Sequence, residues 1–144
     1  MRLVLQLEFP ADARLLPRTR RALEGYLEDI GATEEHRSDV VLALDEACVN
    51  VIRHAFPNAG DGSIRVVAEI TDSEVVVQVE DDGVGFDPVA VARRPLHPED
   101  TSGRGLHIIR EVMTHVELES PTERGGTRVL MHKVLGAGGG GGRW

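Results

Sequence analysis

The sequence predicts an α+β fold: a two-layer sandwich with helices packed on one face of a mixed, mostly antiparallel sheet. Three observations lead there. Leu3, Leu5, Leu7 and Phe9, then Ile64, Val66, Ala68 and Ile70, then Val75, Val77 and Val79 alternate with more polar neighbours, the period of half-buried strands. The second and third of these runs are separated only by Asp72-Ser73, a hairpin connection. Two stretches between the first and second runs carry apolar residues at three-to-four spacing, the period of amphipathic helices. The order β, α, α, β, β, long loop, α, β, β lacks the strict βαβ alternation of a Rossmann domain and fits helices on one face of a hairpin-built sheet.

The first strand, Arg2 to Phe9, stops at Pro10, which cannot donate to a ladder. Asp12 can cap the helix that follows, and Leu15, Leu16, Leu23, Tyr26, Leu27 and Ile30 form its stripe. Pro17 falls in the first turns, where a missing N–H is tolerated, and Gly31 is a C-terminal stop. Thr33, followed by Glu34 and Glu35, opens the central helix. That helix runs to about Pro57, with Val40, Val41, Leu44, Ala47, Cys48, Val51 and Ile52 on its apolar side. Asn58 to Gly62 is a turn cluster. From Asp87 to Ser102 no period is visible, and a loop of that length in a compact domain reads as a lid or a disordered segment. Leu106, Ile109, Val112 and Met113 mark a short helix; Val116 and Leu118 a strand; Thr127 to Leu135 a last strand with Val129, Met131 and Val134. Residues 1–135 are therefore expected to form one domain, and the glycine-rich 136–144 a disordered tail.

Composition narrows the function. With 144 residues the chain can bury about two-thirds of the surface its unfolded form exposes. A net charge of −8 disfavours non-specific binding to nucleic acid or anionic membranes. An aromatic content of 3% offers no stacking platform for single strands. No apolar run approaches the roughly 20 residues of a membrane span, and the N-terminus does not read as a signal peptide. The single cysteine, Cys48, lies on an apolar stripe, reads as a core residue and fits a reducing compartment. The expectation is a soluble cytoplasmic protein with neither a nucleic acid nor a membrane as partner. The histidines lack zinc spacing, and neither a nucleophile elbow nor a Walker A lysine box is present.

On the central helix Glu46, Asn50 and His54 recur at i, i+4 and i+8 opposite the apolar side. By itself that is the polar face of any amphipathic helix, which is usually solvated. Downstream, Asp81-Asp82-Gly83-Val84-Gly85 leaves a strand, Gly103-Arg104-Gly105-Leu106 opens a helix, and Gly125-Gly126-Thr127 precedes the last strand. Each alone reads as a turn or a glycine-rich helix entry. Amides at a helix N-terminus favour an anion, and glycines let phosphate oxygens come close.

The order and spacing of these boxes after Glu46-x-x-x-Asn50 resemble the GHKL (Bergerat-fold) ATP-binding family, over roughly Leu3 to Val134. The resemblance implies an ATP and Mg²⁺ site. Asp81 would accept from the adenine amino group, assisted by Thr127, with Gly83 and Gly85 giving the base room. Asn50 would supply an oxygen to Mg²⁺. Gly103, Gly105 and the amides around them, up to Leu106, would cradle the phosphates, and Arg104, Arg53 and His54 would add positive charge near them. Glu46, one turn before the metal ligand, would be the catalytic base toward a nucleophile attacking the γ-phosphate.

Within that family the chain resembles the free-standing anti-sigma factor serine/threonine-protein kinases (the RsbW-like group). It has no helical hairpin bearing a phosphoacceptor histidine, and His36 begins the catalytic helix itself. The resemblance implies a homodimer formed through the first strand and helix. It implies a STAS-type anti-sigma factor antagonist as substrate, and an RNA polymerase sigma factor as the protein sequestered. Two alternatives stand beside it: a nucleotide-gated binding module without kinase activity, and a simple ATPase in which Glu46 activates water.

Overall fold

The structure, a computed structural model, describes residues 1–55, 62–85 and 104–136. Strand β1 (Arg2–Pro10) leads through a 3₁₀ turn (Ala13–Leu15) into helix α1 (Leu16–Asp29), followed by α2 (Glu34–Asn50) and a π-helical turn (Val51–Ala55). Then come β2 (Ser63–Thr71), β3 (Glu74–Asp81), α3 (Arg104–Val112), β4 (His115–Glu119) and β5 (Arg128–Val134). The stretch read as a lid, the Asn58–Asp61 part of the turn cluster and the glycine tail lie outside the described residues.

The five strands form one sheet in the order β1-β2-β3-β5-β4, and every pairing among them is antiparallel. Because the registers align, residues fall into rows across the sheet. Leu7, Val66, Val79, Val129 and Leu118 make one inner row, and Leu5, Ala68, Val77, Met131 and Val116 the next. These face the helices and supply most of the sheet's share of the core. On the opposite face Glu8, Arg65, Glu80, Arg128 and Glu119 form a row of alternating charge, with Arg65 paired to Glu80 at 2.9 Å and Arg128 paired to Glu119.

Local signals set the helices. Asp12 caps the 3₁₀ turn by accepting from the Arg14 N–H at 2.9 Å, and the paired Arg14 guanidinium holds the Asp12 carboxyl down at about 2. Gly31 adopts φ 81°, the left-handed stop that a side chain resists. Thr33 caps α2 by accepting from the His36 N–H at 3.1 Å, and Glu34 and Glu35 sit at the positive end of its dipole. The buried face of α2 is Val40, Ala43, Leu44, Ala47 and Cys48. Ala43 thus joins the stripe, and Val41 is only half-buried. Burial pushes the Cys48 thiol up to about 12, so it is an inert core residue.

Two sequence expectations need correction. Tyr26 is 42% exposed, whereas Leu16, Leu23, Leu27 and Ile30 are buried, because the core-facing stripe of α1 is narrower than its apolar content. The central helix also does not continue as one α-helix to Pro57: α2 ends at Asn50 and a π turn takes over. A change of hydrogen-bonding period shifts every later residue around the axis, so the i+8 position assigned to His54 lies beyond the change. The apolar residues Val51 and Ile52 continue across the junction, so the sequence pattern does not mark it.

Candidate functional site

The inner rows of the sheet are apolar until its end. Beyond Val79 on β3 the next inward residue is Asp81, which is 2% exposed. Its N–H donates to the Thr127 carbonyl at 2.9 Å, extending the β3–β5 register by one pair. Thr127 is likewise buried. The same extension of β4–β5 brings Ser120 opposite Thr127, and their hydroxyl oxygens lie 2.8 Å apart. An otherwise aliphatic face therefore closes, at this end, on a carboxylate and two hydroxyls.

Burial raises the Asp81 pKa, since a carboxylate out of water favours its neutral form. Hydrogen bonds from the Gly83 and Thr127 backbone pull the other way, and the negative neighbours Asp82 and Glu80 add to the rise. The Gly83 N–H donates to Asp81 Oδ1 at 2.9 Å. Gly83 thus acts on the carboxylate through its backbone.

The absence of side chains at three glycines holds the site together. A Cβ on Gly126 would stand 2.0 Å from the Asp81 carbonyl oxygen, a backbone atom with no freedom to retreat. A Cβ on Gly85 would stand 2.8 Å from Pro121 Cβ and 2.9 Å from the Gly125 carbonyl, so the loop after β3 seats directly on the turn before β5. A Cβ on Gly105 would stand 2.8 Å from Asn50 Nδ2 and 3.0 Å from Oδ1. That contact brings the end of α2 against the first turn of α3, and with it two motifs more than fifty positions apart in the chain.

The predicted residues accordingly fall into two groups. Asp81, Gly83, Gly85 and Thr127 gather at the open end of β3 and β5. Asn50, Gly105 and the buried Leu106 gather where α2 meets α3, with Arg104 at the α3 N-terminus. Glu46 is half-buried one turn before Asn50. Arg53 is exposed on the π turn. Gly103 and the His54 side chain lie outside what is described.

This arrangement fits a nucleotide. A buried acceptor with a hydroxyl beside it suits the edge of a base, and an α-helix N-terminus opening on glycine suits phosphate. Among the described residues no group of three or more His, Cys, Asp or Glu could hold a metal. A cation at Asn50 would therefore draw most of its ligands from phosphates and water, the habit of Mg²⁺. One participant, Ser120, escaped the sequence reading of the site, and Gly126 was read there as part of a glycine box without a role of its own. Ser120 follows Leu118 by two and so continues the inward alternation, a signal masked by Pro121.

Comparison with known proteins identifies the family. The family model described as a histidine kinase-like ATPase domain matches residues 9–133. The anti-sigma F factor of Clostridium novyi (strain NT) is 31% identical over 135 residues, 91% of this chain and 94% of that protein. That of Clostridium botulinum (strain Eklund 17B / Type B) is 32% identical over 133 residues, 90% of this chain and 92% of that protein. The solved RsbU and RsbW domains of Rv1364c from Mycobacterium tuberculosis share the fold with a TM-score of 0.67 at 21% identity, over 92% of this chain and 32% of that one. With its fold, its paired glycine boxes and these relatives, the chain belongs to the histidine kinase-like (GHKL) ATPase domain family.

Proposed function

We propose that the chain is an ATP-dependent protein serine/threonine kinase and anti-sigma factor of a partner-switching system. The observation that supports the reading is the packing of Asn50 on Gly105 in the first turn of α3, with Glu46 one turn earlier on α2. The likeness to proteins named anti-sigma F factors directs it toward that biology. The substrate is a small antagonist of the STAS type, and the sequestered partner is an RNA polymerase sigma factor. As a partner of a sigma factor it would work in the cytoplasm.

In this mechanism Asp81 and Thr127 hold the adenine edge, and Gly105, Leu106 and the amides of the α3 entry bind phosphate. Gly103 and His54 are proposed to contribute there too, with Arg104 and Arg53 adding positive charge. Asn50 would hold Mg²⁺ through one oxygen, and the ion would supply charge neutralisation on the phosphates. The oxygen of the antagonist's hydroxyl forms the new bond to the γ-phosphorus, the bond from that phosphorus to the bridging oxygen of ADP breaks, and Glu46 takes the hydroxyl proton. A homodimer through β1 and α1 belongs to the same proposal: β1 is an edge strand, hydrogen-bonded to β2 alone among the described strands.

The test is incubation with Mg·ATP and a STAS-type protein from the same genome, read by intact mass. One phosphate gained by the partner, and lost with Glu46→Gln, supports the kinase. ATP bound but neither transferred nor hydrolysed would instead favour a nucleotide-gated binding module. Phosphate released to solution would favour an ATPase.

A further inference from the structure

We infer that Lys133 is a positioning residue of the phosphate site: by anchoring the C-terminal end of α3 to α2, it keeps the N-terminal end of the same helix seated on Asn50. This rests on the nucleotide-binding proposal and extends it to a side chain at the opposite end of α3.

Helix α3 spans only nine residues, Arg104–Val112. A helix that short is marginal on its own, so its place depends on what it packs against. Its buried residues Gly105, Leu106 and Ile109 supply apolar contact, which is non-directional and resists separation better than sliding. Polar contacts at its two ends supply direction. At the first turn, Asn50 lies so close that a Cβ on Gly105 would stand 2.8 Å from Nδ2. At the last turn, Lys133 Nζ donates to the Val112 carbonyl at 2.5 Å and to Asp39 Oδ2 at 2.9 Å. Asn50 ends α2 and Asp39 lies in its second turn. The two helices therefore run antiparallel, and α3 is tied to α2 at both ends.

The identity of residue 133 is informative. The inward residues of β5 are Val129 and Met131, both buried, and then Lys133, opposite the buried Val75. An aliphatic side chain would continue the core there. Instead an ammonium whose side chain is 15% exposed meets a carboxylate whose side chain is 24% exposed. Well-packed apolar residues often serve stability as well as such a pair does, and what the pair adds is a fixed geometry. The Val112 carbonyl belongs to the last turn of a helix, where carbonyls lack intrahelical partners and a cation also meets the negative end of the dipole. Released at this end, α3 could shift along α2 and carry the amides of its first turn away from Asn50. A displacement of about 1 Å is enough to impair a positioned site.

The experiment measures dissociation constants for Mg·ATP and for adenosine with the full chain, well below the melting temperature of each variant. Lys133→Met is expected to weaken Mg·ATP about tenfold. Adenosine binding should not change, because the proposed base contacts, Asp81 and Thr127, lie on β3 and just before β5 rather than on α3. Asp39→Asn combined with Lys133→Met removes the carboxylate charge left unpaired. It should melt higher than Lys133→Met alone, while Mg·ATP binding stays weak. The double variant also keeps the test if Lys133→Met does not fold. Mg·ATP affinity that recovers along with stability, or an equal loss for adenosine, overturns the inference and leaves the ATP site intact. Unchanged Mg·ATP affinity in both variants overturns it as well. A wild-type chain that binds neither ligand overturns the site itself.

Discussion

Glu46 and Asp81 are both carboxylates, and their surroundings divide their roles. Glu46 is half-buried on a helix surface, and the proposed mechanism makes it the base for a reacting hydroxyl. Replacing it with glutamine should lower phosphoryl transfer by about 10²–10⁴-fold, the usual worth of a general base, with ATP affinity nearly unchanged. Equal loss of affinity would show that Glu46 binds rather than catalyses. Asp81 sits where the core would otherwise be apolar, and burial raises its pKa. For a carboxylate raised on folding, its stabilising contribution is complete at low pH and is lost as pH rises through the folded value. Asp81→Asn should therefore melt higher than wild type at neutral pH in the absence of nucleotide. The gap should close as pH falls toward the ordinary carboxylate range. The same variant should bind ATP about ten- to a hundred-fold more weakly, having lost a charged acceptor. A lower melting temperature at neutral pH would mean that the hydrogen bonds to Asp81, not its burial, dominate.

Among the elements, α3 is the one whose glycine separates site from fold. Gly105 lies in a helix, where alanine would be favoured by about 1 kcal/mol. The three atoms nearest the added Cβ all belong to the end of the Asn50 side chain, which can swing aside. Gly105→Ala should thus leave urea stability equal or higher, while Mg·ATP affinity falls because Asn50 is displaced. Gly126→Ala is the contrasting case: its Cβ would meet the Asp81 backbone, and we expect a loss of about 1–3 kcal/mol or more. If both variants lost stability equally, the contact at Asn50 would be as rigid as a backbone one. The strands were the most legible elements, because period-two alternation matches a sheet covered on one face only. Ser120 was not legible, since Pro121 ends the pattern one residue after it. The π turn was hidden because Val51 and Ile52 remain apolar whichever period the backbone takes. Asn50 and Gly105 could be recognised as motifs, but nothing in one dimension says that they touch.

Across the whole molecule, the far end of the inner face carries a second polar device. Lys133 lies opposite Val75 and reaches Asp39 on α2 at 2.9 Å and the Val112 carbonyl at the end of α3 at 2.5 Å. One ammonium thus ties a strand to both helices that bear the site. Lys133→Met should cost about 1–3 kcal/mol in urea unfolding, between the values for exposed and buried pairs. An unchanged midpoint would show that the tie is dispensable. None of the described helices is long and apolar enough to cross a membrane.

The charged row on the outer face has a bearing on how the chain finds its sheet. A slip of one residue turns a strand inside out and is excluded by the core, but a slip of two keeps every apolar residue inward and needs another safeguard. In the native register Glu8, Arg65, Glu80, Arg128 and Glu119 meet opposite charges along the row. A two-residue slip would set Glu8 against Ser63 or Val67, and would set Arg65 and Arg128 against Gln78 when β3 moves one way. Asp82 on β3 and Glu117 on β4 could still meet an arginine when the strands move the other way. The row works as a checksum on the β1–β2 alignment and on one direction of slip at β3: each pair adds little by itself, but such an error forfeits it. Refolding in high salt, which screens such pairs, should yield more misaligned and aggregating chains than the salt dependence of the native state alone would suggest.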